Sequence, residues 1–300
     1  MRDYLKSKQL SDSTIEIYER YVFFFFDWCK NQELRHEEMT YKQMLDFVSA
    51  CHTACFSIRK TNMILLSIRH YYDSQNTKRN PAQGIILKGT TKTVPKDLLT
   101  EAELTHIFGH YYAIDARMKR NKVLLGILIY QGLSTEELHL LQVEHINLKA
   151  GKIYVPSTKN SLSRNLHLES CQILDLQEYL FQIRPQMLEN LEDSISIRPG
   201  RKPNQIDLEA IKARLFFSEN GILDLKPSLK HLFRALRQIE PKVKNGKQIR
   251  QSVIRNNLKI KSLMQVRQES GFKTMTAVER YQSQNLEDLE MALEKYHPLR

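Results

Sequence analysis

One change of period constrains the fold more than any other feature of the sequence. Apolar residues recur at helical spacing along most of the 300-residue chain, but in "GKIYVPSTKNSLSRNLHL" they alternate instead. "KIYVP" and "RNLHL" flank a polar seven-residue connection, so a β-hairpin is expected there, with Lys159 near its turn. The chain is expected to be mainly α with a small β-hairpin or sheet, an α+β arrangement.

The helical signal falls into two parts. In the first, "STIEIYERYVFFFFDWCKN" keeps its apolar residues on one face and begins at an expected capping box, Ser13 with Glu16. "YKQMLDFVSACH" and "CFSIRKTNMILLSIRHYYDSQ" continue the period, the latter with Arg59, Lys60, Arg69 and His70 on its polar side. A bundle of about four helices over residues 1–78 is expected. "NTKRNPAQGIILKGTTKTVPKD" has no sustained period and is rich in Pro, Gly, Thr and Lys, so residues 79–97 read as a basic linker. The second part, residues 98–300, opens on a capping box at Thr100 and Glu103. It continues into the strongly apolar "KRNKVLLGILIYQGL", resumes helices at "SCQILDLQEYLFQI", and is helical almost throughout from Pro227. Between these, an irregular loop and a short apolar strand at "RLFFS" are expected.

Charge narrows the partner. A formal charge of +11 and a pI near 9.4 favour a polyanion, with nucleic acid first. The longest apolar run, "YVFFFFDWC", is too short to cross a bilayer, and "MRDYLKSKQL" has no apolar signal core, so no membrane association is expected. Cys29, Cys51, Cys55 and Cys171 form no CxxC pair and read as reduced thiols, consistent with a cytoplasmic protein. His106 and His110 in "HIFGH" have the spacing of a metal pair but lack the glutamate of HExxH, so neither metal nor cofactor is expected.

The motifs become informative through their order. "QGLSTEELHL" precedes the lysine-bearing hairpin; about ninety residues later come "KQIRQSVIRNNL" and "SGFKTMTAVERY". This arrangement resembles the catalytic domain of the tyrosine recombinases, the phage-integrase family, over residues 98–300. The helical first part resembles the core-binding (SAM-like) domain of that family. In the first box, Gly132 and Leu133 lead into a helix carrying Glu137 and Leu138, and Ser134 stands where the family has an arginine. The hairpin lysine matches Lys159, the second box matches Lys247 and Arg250, Phe272 occupies a position usually held by histidine or tryptophan, and the nucleophile position is Tyr281.

The resemblance implies a site-specific recombinase or integrase that cleaves and rejoins DNA through a covalent 3′-phosphotyrosine. A phosphodiester repels nucleophiles, so fixed cations and an in-line nucleophile are what such a reaction needs. Arg250 offers a bidentate permanent charge, Tyr281 the attacking oxygen, Lys159 a proton for the leaving 5′ oxygen, and Lys247 further support of the phosphate. Arg59, Lys60, Arg69, Arg164, Arg255 and Lys261 are expected to bind DNA, clamped as a duplex between the two parts. Ser134 has a structural explanation, a capping box with Glu137 that stabilises a helix start by about 1 kcal/mol, but it brings no charge. Lys247 and Arg164 are candidates to supply one. Phe272 has no N–H to give a phosphate oxygen. These two departures support the alternative, a catalytically impaired DNA-binding relative acting as regulator or accessory factor. Leu286, Leu289 and Leu293 lie at helical spacing after Tyr281. By the resemblance, this C-terminal helix would dock on a neighbouring protomer, assembling a dimer or tetramer on nucleoid DNA.

Overall fold

A computed structural model describes residues 1–75, 77, 79–89, 97–197 and 207–282. The chain divides into two compact units, Met1–Lys92 and Thr93–Arg300.

The first unit is built on helices α1 (Arg2–Ser7), α2 (Asp12–Asn31), α3 (Tyr41–Thr53) and α4 (Ile58–Ser74). Phe25 and Cys29 of α2, Met44 and Phe47 of α3, and Ile64, Leu65 and Ile68 of α4 close one core. That core follows from the helical spacing of these residues, because each helix buries the stripe its period defines. Helix α2 starts at Asp12 after Ser11, with no side-chain cap bond, so the expected Ser13–Glu16 box does not form. Ser11 takes the cap position because Ser13 already lies inside the first turn, where its hydroxyl bonds that of Ser11. Residues 79–89, expected in the linker, pack on this unit. Ala82 and Ile85 are buried in its core. Arg69 Nη2 donates to the Ile85 carbonyl at 3.1 Å, and the Asn62 amide brackets Leu87 with bonds of 2.8 and 3.0 Å. The period is lost there because the segment turns at residues 81–84 and is then held by side chains rather than by a ladder of its own.

The second unit gathers α5 (Glu101–His110), α6 (Ala116–Tyr130) and α7 (Thr135–Leu140) before a three-stranded antiparallel sheet. Its strands are β1 (Ile146–Asn147), β2 (Lys152–Val155) and β3 (Arg164–His167), in the order β1-β2-β3. The hairpin is as expected from the alternation; the two-residue β1 was not read from the sequence. Register pairs Ile153 with Leu166 and Val155 with Arg164. Because side chains alternate across a strand, Ile153, Val155, Arg164 and Leu166 all face inward. Helix α6 is buried along Val123–Ile129, which accounts for its nearly unbroken apolar run.

Helix α8 (Ser170–Glu178) passes through a π-helical turn into α9 (Arg184–Ile197), and α10 (Leu208–Ala213) follows, so helix occupies much of the region expected to be irregular. The expected strand at "RLFFS" is a single bridge, Arg214 with Gln142; Leu215, Phe216 and Phe217 are buried as core side chains instead. Helices α11 (Lys226–Ile239), α12 (Gly246–Asn257) and α13 (Leu263–Ser270) complete the unit, with residues 276–282 helical beyond them. Leu286, Leu289 and Leu293 lie outside the described residues.

Candidate active site

The site forms where three chain segments close on Glu137. Ser134 caps α7: its hydroxyl accepts from the Glu137 N–H at 3.2 Å, and its own N–H donates to Glu137 Oε2 at 2.7 Å. That reciprocal box fixes the carboxylate, which is 0% exposed.

Arg250 reaches the carboxylate from α12. Asn245 caps that helix by accepting from the Gln248 N–H at 3.0 Å, and the first turns are buried against the unit. Arg250 Nη1 donates to Glu137 Oε2 at 2.9 Å and to the Gly132 carbonyl at 2.7 Å, while Nη2 donates to the Ser270 carbonyl at 2.6 Å. Its guanidinium carbon lies 5.6 Å from the centre of the Phe272 ring.

Arg164 comes from the first position of β3, with its side chain 4% exposed. Nη1 donates to Glu137 Oε1 at 2.6 Å, and Nε donates to the Glu269 carbonyl at 2.6 Å. Helix α13 ends at Gly271, whose φ of +70° is left-handed. Closeness requires glycine there as well, because a Cβ would lie 2.4 Å from Arg164 Nη1.

Tyr281 packs half-buried against Ile254, Val266, Val278 and Phe272, with its ring centre 6.4 Å from that of Phe272. Phe272 thus touches both the guanidinium of Arg250 and the phenol. Burial raises the Tyr281 pKa, opposed by a hydrogen bond with Gln251 and by the charges of Arg250 and Arg280. At rest, therefore, the phenol holds its proton. Burial alone would raise the pKa of Glu137 too, but the bond from Arg164, the charges of Arg250 and Arg164, and the Ser134 N–H bring it down to about 2. Desolvation lowers the pKa of Arg250, and Glu137 opposes it; the guanidinium remains charged at neutral pH.

The hairpin is fastened to the same turn. Leu162 N–H donates to the Gly271 carbonyl at 2.9 Å, Ser161 bridges Phe272, and Lys273 Nζ donates to the Lys159 carbonyl at 2.9 Å. Lys159 itself is exposed and borders a cleft shared with Thr135, Glu136 and His139. Lys247 is exposed one turn before Arg250. Among the described residues neither lysine side chain hydrogen-bonds Arg250 or Tyr281.

The residues expected to bind DNA divide by exposure. Arg59 is exposed; Lys60 is half-buried, with its ammonium 3.3 Å above the Phe56 ring. Arg69 braces residues 79–89, Arg255 is half-buried, and Lys261 pairs with Glu269 at 2.7 Å. Arg164 lies inside the site rather than on the surface. His106 and His110 are exposed with ring centres 4.0 Å apart, and among the described residues no group of three His, Cys, Asp or Glu is placed to hold a metal ion.

Sequence reasoning missed Gln251, and it named Arg164 only as a DNA contact and as a candidate for the charge that Ser134 lacks. Gln251 carries no pattern beyond following Arg250. The role of Arg164 did leave a signal: in "RNLHL" it is in phase with Leu166 and Leu168, so the alternation that predicts the hairpin also places this arginine on its inner face.

Comparison with known proteins follows the same lines. No family model matches the chain. Tyrosine recombinase XerA of Pyrococcus horikoshii is 26% identical over 183 residues, 59% of this chain and 57% of that protein. Tyrosine recombinase XerD of Pseudomonas aeruginosa is 25% identical over 233 residues, 75% of this chain and 78% of that one. The matches to XerA of Pyrococcus horikoshii and of Pyrococcus furiosus span 57% and 58% of those relatives' lengths, under two thirds. Among solved structures, the Tn1549 transposon integrase in complex with transposon right-end DNA aligns over 98% of each chain with a TM-score of 0.62 at 15% identity. XerH site-specific recombinase bound to its difH substrate aligns over 82% of this chain and 67% of that one, with a TM-score of 0.55 at 18% identity. The fold is that of the tyrosine recombinases, and the sequence is similar to theirs.

Proposed function

We propose that the protein is a site-specific DNA recombinase that breaks and rejoins strands through Tyr281. The observation that carries this reading is that Arg250 and Tyr281 both lie against Phe272, which belongs to the turn that the Lys159 hairpin is bonded to. An arginine beside a half-buried phenol is the pairing that in-line attack on a phosphodiester needs: a fixed cation for the non-bridging oxygens and a nucleophile.

In the forward step the Tyr281 oxygen bonds to phosphorus while the bond from phosphorus to the 5′ oxygen breaks. The phenol gives up its proton to solvent water, and Lys159 donates one to the departing 5′ oxygen, leaving a 3′-phosphotyrosyl ester and a free 5′ hydroxyl. Attack of a 5′ hydroxyl on that ester reverses both changes and reseals a strand. The ester keeps the energy of the phosphodiester, so no nucleotide cofactor is consumed. Lys247, exposed beside Arg250, adds positive charge near the phosphate.

Double-stranded DNA is the partner in this reading, gripped through its backbone by a chain of formal charge +11, with Arg59 and Lys60 of the helical first unit contributing. Assembly of two or four copies on the DNA and residence on the nucleoid belong to the same reading. The test is a nicked suicide substrate, from which the released strand diffuses away and traps the ester. A covalent protein–DNA adduct that disappears in Tyr281→Phe is the expected result. Binding without adduct points to the regulatory relative; adduct persisting in Tyr281→Phe removes that residue as nucleophile.

A further inference from the structure

We propose that Arg164 is a positioning residue of this site: it neutralises Glu137 and so leaves the positive charge of Arg250 available to a phosphodiester. The proposal rests on the strand-cleavage reading above, but its decisive measurement does not require cleavage.

Three charged side chains share a small enclosed space. One carboxylate faces two guanidinium groups, with Oε1 taken by Arg164 and Oε2 by Arg250. Ser134 contributes a hydroxyl and an N–H and no charge. Without Arg164, Glu137 and Arg250 would sum to zero, and a neutral pair has little to offer an anionic phosphate in a site that excludes water. With Arg164 the group carries one net positive charge. The second cation thus enters from the hairpin, in a site where position 134 supplies none.

The contacts of Arg164 fit positioning better than direct contact with DNA. Its side chain is 4% exposed, so DNA does not reach it in this conformation. It ties the carbonyl of Leu162, on the hairpin, to the carbonyl of Glu269, near the end of α13. Those are the elements that carry Lys159 and lead to Tyr281. Stability alone does not account for the arrangement. Nη2 of Arg164 is buried with no hydrogen-bond partner among the described residues, a costly state for a cationic donor.

A charge role and a bracing role separate in one set of variants: Arg164→Gln, Arg164→Lys, Glu137→Gln and the double Arg164→Gln/Glu137→Gln. Two quantities are measured on each. The first is the initial rate of adduct formation on the nicked suicide substrate. The second is the titration of the Tyr281 phenol, followed by NMR of protein carrying ¹³C-labelled tyrosine and assigned with Tyr281→Phe. Beside the phenol stand the charges of Arg250 and Arg280 and the amide of Gln251.

If Arg164 acts through charge, Arg164→Gln slows the adduct about tenfold or more and raises the phenol pKa, because Glu137 then offsets Arg250 alone. Glu137→Gln in the same chain restores both, since the charge that needed neutralising is gone; Arg164→Lys falls between. Glu137→Gln alone lowers the phenol pKa, which keeps the test decisive if Arg164→Gln does not fold. A double variant as slow as Arg164→Gln, with an unmoved phenol titration, overturns the proposal and makes Arg164 a brace. Should the wild-type protein form no adduct while the phenol still follows the variants, the cleavage reading fails and the charge coupling stands.

Discussion

The second unit holds two pairs of largely enclosed arginines, with Arg250 the most exposed of the four, and they are used differently. Arg120 and Arg184 are 2% and 7% exposed, and they hold the segment read from sequence as a strand together with the end of α10 that leads into it. Arg184 Nη2 donates to the carbonyls of Lys212 at 2.6 Å, Arg214 at 2.8 Å and Ile211 at 3.2 Å; Arg120 Nη1 donates to Phe217 O at 2.8 Å. The Tyr179 hydroxyl takes the carbonyl of Leu215 at 2.8 Å. That segment enters no strand ladder, so side-chain donors satisfy the acceptors a neighbouring strand would have met. Among the described residues no carboxylate lies within ion-pair distance of either arginine. Arg164 and Arg250 also hold loop carbonyls, but they share a carboxylate, and a phenol sits beside them. Burial of an arginine therefore does not by itself mark a site. What sets the second pair apart is the carboxylate that its two members share.

Removing one arginine from each pair and measuring both cleavage and stability separates the two uses. Arg250→Gln takes away a preorganised cation and is expected to slow adduct formation by roughly 100- to 1000-fold, about 2.7 to 4 kcal/mol of transition-state stabilisation. A rate within a few-fold of wild type would place Arg250 with the structural pair.

Next in size is an acid-induced loss of stability that the first pair has no means to produce. Glu137 has a folded pKa of about 2, below its ordinary 4.5, so its contribution is fully present above pH 4.5 and is lost as pH falls towards 2. The shift corresponds to about 3 kcal/mol. Chemical denaturation of wild type and Glu137→Gln between pH 7 and pH 3 should show a shallower decline in the variant. Parallel declines would mean that the carboxylate is not the titrating group.

The two regions also differ in how far the sequence revealed them. The hairpin was legible because alternation is a local property, and the capping boxes at Thr100 and Ser134 because a cap spans four residues. The site positions of Arg250, Phe272 and Tyr281 could be read only through family resemblance, since no periodicity links residues on different helices. "RLFFS" was misread because β-prone apolar side chains look the same whether their backbone pairs with a strand or with arginine side chains. The start of α2 was misplaced by two residues for a similar reason: Ser11 is as good a cap residue type as Ser13, although no box forms at either. The union of Glu137 with Arg164 depends on tertiary contact across the sheet, and only the phase of Arg164 within "RNLHL" hinted at it.

A third substitution tests the structural pair. Arg184→Met keeps much of the side-chain volume and removes the donors to Ile211, Lys212 and Arg214. Stranding those buried carbonyls is expected to cost about 1 to 3 kcal/mol, seen as a lower denaturation midpoint. Adduct formation well below that midpoint should change little. A cleavage defect as large as that of Arg250→Gln, in a protein that remains folded, would erase the distinction between the two pairs.

The smallest effect concerns Ser134, which stands where the resemblance implies an arginine. Ser134→Ala removes the hydroxyl that accepts the Glu137 N–H, a cap worth about 1 kcal/mol, but keeps the backbone N–H that holds Glu137 Oε2. Stability should therefore fall by about that amount, while adduct formation stays within a few-fold of wild type, because the carboxylate remains in place between its two arginines. A rate loss approaching that of Arg250→Gln would show that the serine hydroxyl itself serves the phosphate, and the charge supplied by Arg164 would then not be the whole of what position 134 lacks.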